Sequence, residues 1–507
     1  MALDEVAPST LIISTAIVLF LSWTFTQLWP SIRLHFFLRS FPRSGLDPGL
    51  FGLGTAAAKR QFFAQGEKLV EEGYEKYKDQ PFVIQTSDLP RIVIPYKYVD
   101  ETWDWADTKL SHKIALLERF FGPYTGMDAV RFTSTHRDVC KVQLTSNLAP
   151  LLPHMKEELD RYLSGRLGEK DPSVNAGTFQ LVLEAISHIT SRVLLDDVAI
   201  CRSSTWLDGL LQYPGNVSAV AMALRTRPAY VRPIIYPFLQ ATKNLRAGMA
   251  SIQKTVDPII AQRRADASSE KTKKPLDVLQ FVLDADPHAP NEQVVGYIFF
   301  LVIAAIHTST FTATQALYDL CAMPDVQAAL REEVEDTLKE TGGEWTLAGL
   351  RRLRQMDSFL KESHRMNSPG VLNYNRLLRK DISLRDGTVL PAGAMVSMAG
   401  AARSKDPALY SSPHEFQAKR FYNTNASNDK ERGLFSSTAA GDSWFGHGPQ
   451  ACPGRWYADV QIKLLLATLL VTYDLTFPDG QTKRPDDYKA DEKILPDMKQ
   501  EIVLRRR

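Results

Sequence analysis

The sequence predicts a mainly α-helical protein with small β-sheets, preceded by one N-terminal transmembrane helix. Three observations predict it. No residue from Val6 to Ile32 is charged. Apolar residues then recur at three- and four-residue spacings through the body, culminating in a run of about thirty residues, Glu292 to Met323, with nothing to stop a helix. Strand signals are few and short. Phe82-Val-Ile-Gln-Thr and Arg91-Ile-Val-Ile-Pro flank Ser87–Pro90 as a hairpin, Asp386-Gly387 marks a second turn, and Glu501-Ile-Val-Leu reads as a closing strand.

The elements follow in chain order. Leu11 to Leu28 is dense in Leu, Ile, Val, Phe and Trp, and about 20 such residues cross a bilayer as a helix. Trp23, Trp29 and Pro30 stand near one end, where interfacial aromatics belong. Asp4 and Glu5 precede the run, whereas Arg33, Arg39 and Arg43 follow it, which places the bulk of the chain in the cytoplasm. No basic segment precedes the run and no small-residue cleavage site follows it, so an anchor is favoured over a signal peptide. Residues 1–32 are read as this anchor, 33–50 as a hinge rich in Pro and Gly, and 51–507 as a single catalytic domain. The sequons at Asn216 and Asn425 need a lumenal face and go unused on this topology.

In the body, Gln61 to Lys78 reads as a helix carrying Phe62, Phe63, Leu69 and Tyr74. Thr133–Leu148 is also read as a helix. Residues 150–265 are mostly helical, except that Tyr213-Pro214-Gly215, Pro228, Pro233 and Pro237 break the 212–239 region into a lid apolar enough to meet a membrane. Ala265–Lys274 is polar and reads as a loop. Ile298–Ala305 is apolar but flanked by His307, Thr308, Ser309 and Thr310, so a buried core helix is expected rather than a second span. Residues 456–472 return to helix.

The chain has 507 residues, 44% apolar and 23% charged, which excludes a disordered or wholly membrane-embedded protein. Its 60 Lys and Arg balance 58 Asp and Glu, so no global field points to nucleic acid. Cys140, Cys201, Cys321 and Cys452 lie far apart, which argues against disulfides and for a reducing compartment.

The chemistry concentrates in Phe445-Gly-His-Gly448-Pro-Gln-Ala-Cys452-Pro-Gly454. A lone cysteine stands in a tight Gly/Pro loop with a helix beginning at about Arg455. Freed backbone N–H groups and a helix N-terminus stabilise a thiolate, and Gly448 and Gly454 let the backbone approach a flat partner.

This run resembles the haem-binding loop F-x-x-G-x-x-x-C-x-G of the cytochrome P450 family. Other family landmarks follow in order: Ala304-Ala-Ile-His307-Thr308-Ser309 resembles the oxygen-activating A-G-x-D/E-T-T, Glu362-Ser-His-Arg365 matches E-x-x-R, and Phe416-Gln-Ala-Lys-Arg420-Phe421 resembles F-x-P-E-R-F. The resemblance covers nearly the whole chain and implies the cytochrome P450 fold. It implies haem b with Cys452 as axial iron ligand, a thiolate that favours O–O cleavage. It implies a structural network of Glu362, Arg365 and Arg420, and Thr308 with His307 as the oxygen-side catalytic pair. His307 stands where the family has an acid, and a histidine can also relay protons.

Haem propionates need cations. The resemblance offers Arg376, Lys141 and Arg137; Gln450 replaces the arginine often found two before the ligand, with His447 or Arg376 as possible compensation. Phe445 completes the haem-binding residues. Within the family the sequence looks most like ent-kaurene oxidase-like fungal members, from Ala-Ala-Ile-His-Thr, Cys-Pro-Gly-Arg and Glu71-Glu-Gly-Tyr-Glu-Lys-Tyr-Lys-Asp. That implies a monooxygenase at the endoplasmic reticulum membrane, inserting one oxygen atom from O2 into a C–H bond of a hydrophobic secondary metabolite, most readily a terpenoid. Ala304, Ala305, Val371 and Leu372 are the expected substrate-facing residues. Electrons would come from a separate NADPH-dependent cytochrome P450 reductase, since no G-x-G-x-x-G follows a strand in this chain. A haem-thiolate isomerase or dehydratase, or a polyketide or alkaloid substrate, is the alternative.

Overall fold

The computed structural model describes residues 8–168, 171–227, 229–266, 274–422, 433–438 and 444–507. Asp4, Glu5, Asn425, Pro228 and most of the polar 265–274 segment lie outside them. Within the described residues the chain is a helical body with four small sheets.

The predicted periodicities mostly become the expected elements. Helix Thr55–Lys76 buries Phe62, Leu69 and Val70 on one face. The hairpin forms from strands Phe82–Gln85 and Pro90–Val93, paired antiparallel. These two strands belong to a six-stranded sheet that also holds Arg43–Ser44, Met395–Met398, Asn373–Leu378 and Leu110–Ser111. The closing strand Glu501–Arg506 pairs antiparallel with both Tyr473–Thr476 and Ser173–Gly177. Gly387 adopts φ +86° in the turn joining Ile382–Ser383 to Val389–Leu390. A further hairpin, Tyr488–Ala490 with Lys493–Leu495, bridges to Gly370.

The long helix Asn291–Ala322 runs through the core, packed against Thr178–Leu194, Arg354–Met366 and Arg455–Thr472. Its apolar run is buried, which is why it is a core helix despite a length and hydropathy that suit a membrane. Cys140, Cys201 and Cys321 are buried free thiols, inert by burial.

Four expectations are corrected. The N-terminal helix runs from Pro8 to Leu38, beyond residue 32. Leu38 is buried with Val83 and Val396, Arg33 Nη2 meets Asp381 Oδ2 at 2.6 Å, and the His35 ring bonds the Leu50 carbonyl at 2.8 Å. Packing thus carries the helix into the segment read as a hinge, and part of that hinge becomes strand Arg43–Ser44. The 133–148 segment is not one α-helix. A turn, Thr135–Asp138, passes into a wider π turn, Val139–Leu144, and the next helix starts at Leu148. The Thr145 hydroxyl donates to the Cys140 carbonyl at 2.9 Å, a local side-chain bond that competes with the α ladder.

The proline-marked lid is also revised. Pro214 lies inside helix Ser204–Arg225, where Tyr213 and Pro214 are buried. The Tyr213 hydroxyl donates to the Thr125 carbonyl at 3.0 Å and its ring stands 4.5 Å from that of Phe299. Tertiary packing overrides the break; large apolar groups are exposed at Met222 on the helix and, beyond Arg225, at Tyr230, Ile234 and Phe238. Finally, Val371 and Leu372, expected to face a substrate, are buried with Phe62, Phe82 and Ile494.

Candidate active site

The loop ahead of helix Arg455–Thr472 doubles back on itself. Gly446 and Gly448 both adopt φ +70°, which glycine alone takes without strain. The Cys452 N–H donates to the Phe445 carbonyl at 2.7 Å, and Arg455 Nη1 donates to the Cys452 carbonyl at 2.9 Å. Cys452 is thereby held, half-buried, at the helix N-terminus. Burial pushes its thiol pKa up; the Gly454 N–H, the Arg455 charge and the Arg455 N–H pull it back. Those opposing groups are the ones that favour a thiolate.

Neighbouring rings fix the loop from outside. Phe445 meets Phe435 at 5.2 Å and His364 at 5.9 Å, both edge-on. A Cβ at Gly448 would collide with the Trp103 ring, so that glycine makes room for Trp103 rather than for a ligand. A Cβ at Gly454 would meet nothing within 4 Å. The His447 ring lies 4.6 Å from that of Trp103, its Nδ1 buried without a hydrogen bond. Gln450 is a fastener. Its amide donates to the carbonyls of Trp105 and Leu110 at 3.2 and 2.7 Å, and its oxygen accepts the His112 N–H at 2.9 Å.

The predicted cations separate clearly. Arg376 is 4% exposed and, among the described residues, has no carboxylate within ion-pair distance. A bulge between Asn373 and Arg376, with Tyr374 at φ +54°, turns this part of the strand. The Arg376 guanidinium lies 4.6 Å from the Tyr374 ring centroid, and Nη1 donates to the Asn375 carbonyl at 2.9 Å. Burial pulls its pKa down to about 10, so it stays charged at neutral pH. Arg137, by contrast, is partly exposed and pairs with Asp138 at 3.1 Å. Lys141 is exposed on the π turn.

His112 was not legible in the sequence. Its Nδ1 bonds the Asn375 carbonyl at 3.0 Å; a carbonyl only accepts, so that nitrogen carries the proton. Burial, then the charge of Arg376, lowers its pKa to about 4. The only available signal, a histidine at a helix start, is too common to single it out.

Glu362, Arg365 and Arg420 come together as expected. Glu362, fully buried, accepts from Arg365 Nε and Nη2 at 2.8 Å each and from Arg420 Nε at 3.0 Å. The absence of Pro and Glu at Ala418 and Lys419 does not disturb this.

In the middle of the long helix, burial gives way along one side. Ala304 and Thr308 are exposed, and Ile303, Ala305, His307 and Phe311 are partly so, while the turns on either side are buried. The i, i+4 spacing of Ala304 and Thr308 makes this one stripe. The Thr308 hydroxyl donates to the Ala304 carbonyl at 2.7 Å. His307 lies about 100° round the helix, its ring edge-on to Phe311 at 6.0 Å and its Nδ1 buried without a hydrogen bond. Burial, then the charge of Lys493, lowers its pKa.

Comparison with known proteins agrees with this arrangement. The cytochrome P450 family model matches residues 128–502. A cytochrome P450 monooxygenase of Emericella nidulans is 33% identical, over 88% of this chain and 84% of its own length. A cytochrome P450 monooxygenase of Penicillium canescens is 31% identical over 88% and 85%, and an ent-kaurene oxidase of Gibberella intermedia is 31% identical over 89% and 86%. With the Cys452 loop, the buried Glu362–Arg365–Arg420 network and the accessible stripe on the central helix on the same chain, the chain belongs to the cytochrome P450 monooxygenases.

Proposed function

We propose that this oxidoreductase inserts one oxygen atom from O2 into a C–H bond of a bulky hydrophobic secondary metabolite, terpenoid in type, with electrons from an NADPH-dependent cytochrome P450 reductase. The observation that carries this reading is the accessible stripe on an otherwise buried helix, with the Thr308 hydroxyl as its polar group and Ala304 as its apolar one.

The residues fit haem b. A guanidinium as buried as Arg376, with no counter-ion among the described residues, calls for an anionic group. Arg376, with Arg137 and Lys141 as the further cations, would hold the propionates, and the Cys452 sulfur would bind the iron. When bound, the thiolate-ligated haem supplies the oxygen activation. This chain's residues position and protonate. The Ala304 side packs the apolar substrate and excludes water. The Thr308 hydroxyl donates to the Ala304 carbonyl, and rotation of that hydroxyl would turn the proton toward a bound group instead. His307, its pKa lowered, is a neutral imidazole at neutral pH, so it passes a proton on rather than storing one.

The exposed apolar side chains Ile17, Val18, Leu19, Phe25 and Trp29 support an anchor in the endoplasmic reticulum membrane with the catalytic body on the cytoplasmic side. Phe51 and Leu53, 82% and 90% exposed, follow Leu50, whose carbonyl the helix base holds, and would dip into the same membrane. The ent-kaurene oxidases among the relatives support a diterpenoid-like substrate.

The test is turnover of a diterpene hydrocarbon panel by the full-length holoenzyme with reductase, with and without NADPH. Product that requires NADPH and carries label from 18O2 is expected; product without NADPH overturns the reading. Thr308→Ala is expected to lower product formation about 10²-fold while NADPH consumption continues. Arg376→Leu tests the anion site. Removing a buried uncompensated charge should stabilise the haem-free protein by about 1 kcal/mol or more, while haem content after purification falls. Both are read by thermal melting and haem assay.

A further inference from the structure

Helix Arg354–Met366 carries two stripes of buried polar side chains. Ser358, Glu362 and Arg365 recur at four and then three residues, which puts them on one face. That face holds residues 404–421. The Ser358 hydroxyl accepts the Phe421 N–H at 3.0 Å, Glu362 gathers Arg365 and Arg420, and Arg365 reaches the Ser404 carbonyl. Asp357, Lys361 and His364 recur at the same spacing, about 100° round the helix, and are 0%, 7% and 9% exposed.

The second stripe reaches a different part of the chain, Phe435 to Phe445. Asp357 Oδ1 accepts the Phe435 N–H at 2.8 Å and is itself held by Lys463 Nζ at 2.7 Å. Lys361 Nζ donates to the Ser437 hydroxyl at 3.0 Å. His364 makes ring contacts only with this segment: it stacks on Trp444 at 5.4 Å and 29°, meets Phe445 edge-on at 5.9 Å and lies tilted to Phe435 at 5.8 Å. Phe435 closes the cluster edge-on to Phe445 at 5.2 Å.

The cluster leads to the sulfur by a short route. The Phe445 carbonyl accepts the Cys452 N–H at 2.7 Å, so the place of Phe445 fixes the backbone that carries the thiol. Between them Gly446 and Gly448 take positive φ, a conformation that leaves the loop free to swing unless its entry is held. Stacked and edge-on ring pairs are directional as well as apolar, and they can supply that hold. We propose that His364 is a positioning residue for the Cys452 sulfur: stacked on Trp444 and edge-on to Phe445, it sets the entry of the loop and so the direction from which the sulfur meets the iron. This rests on the haem-thiolate reading above and adds a role for the helix separate from its Glu362–Arg365 pair.

The test reads the sulfur rather than turnover. The full-length holoenzyme is followed by the reduced carbon monoxide spectrum, the iron–sulfur stretch in resonance Raman and the ferric–ferrous midpoint potential. His364→Leu keeps apolar bulk but loses the ring. It is expected to lower the ratio of the long-wavelength band to the short-wavelength band of a neutral thiol about tenfold, the equivalent of one well-placed ring pair, and to shift the stretch and the potential. His364→Phe keeps a ring and should keep the native values. Trp444→Leu removes the same stack from the loop side, leaves the helix untouched and should reproduce His364→Leu; the double variant should be no worse than either single one. A lowered melting temperature with native spectra and potential in His364→Leu would make the residue plain core packing and overturn the proposal, as would His364→Phe altered as much as His364→Leu. If His364→Leu does not fold, Trp444→Leu decides, and native spectra there overturn the proposal. A native holoenzyme without the long-wavelength band would overturn the thiolate reading itself, and the role of His364 with it; a native band with unmoved variants overturns the role of His364 alone.

Discussion

Cys452→Ala protein is expected to lose the long-wavelength Soret band of the reduced carbon monoxide complex and all product formation, while its backbone stays folded. The reasoning is local. The loop closes through main-chain bonds, Cys452 N–H to the Phe445 carbonyl and Arg455 to the Cys452 carbonyl, and neither uses the sulfur. On the proposed function the sulfur's contribution would be ligation. Burial favours the neutral thiol, whereas the Gly454 and Arg455 N–H groups and the Arg455 charge favour the thiolate that would hold the iron. Cys140 is the control. It is near enough that the Cys452 charge helps burial push its pKa up to about 12, which makes it a poor ligand. Cys140→Ala should keep the band at full height. A native-like band in Cys452→Ala would mean that another residue ligates the iron, and the thiolate chemistry would have to be abandoned.

What was legible in the sequence follows from how local each feature is. The Gly/Pro loop around Cys452 and the Glu362–Arg365 pair are written within ten residues or fewer, with glycine, proline and helical spacing to mark them, and the loop's shape and the ion pair both form as read. The long helix shows itself by its length and apolar run. Features made by distant segments stayed hidden. Gln450 looked like a lost cation, yet it secures the loop to His112, a residue 338 positions away. Gly448 looked like a platform for a flat ligand, yet Trp103 occupies its missing side chain's space. Val371 and Leu372 followed the helix in the expected place, but helix Thr55–Lys76 and the sheet bury them. Proline misled in the other direction: Pro214 reads as a breaker, and the packing of Tyr213 against Phe299 keeps the helix whole.

Glu362→Gln is expected to be the most damaging single change to the fold. One fully buried carboxylate accepts from Arg365 through two nitrogens, from Arg420 Nε and from the Gln417 N–H at 2.9 Å. The two arginines carry the effect outward. Arg365 Nη1 donates to the carbonyls of Ser404 and Pro413, both at 2.7 Å, and Arg420 donates to those of Ser411 and Ser412 at 2.7 and 3.2 Å. The irregular segment that leads toward the thiolate loop has little regular structure of its own, so these bonds hold its course. An amide at position 362 keeps the shape but leaves two guanidinium groups buried without a counter-charge, and it offers Arg365 one good acceptor where it had two. Breaking a buried pair in this way costs about 3–5 kcal/mol, against a total stability of roughly 5–15 kcal/mol. Poor recovery of haem-bound protein and a lowered melting temperature are therefore expected. Arg365→Lys should do almost as much harm, because an ammonium cannot make the two parallel bonds of the fork. Replacing Glu362 and Arg365 together by apolar residues should cost less than the two single changes summed, since the double variant leaves one fewer unpaired charge. Melting of Glu362→Gln indistinguishable from the native protein would show the network to be dispensable, and the course of the segment would then have to be held by its backbone contacts alone.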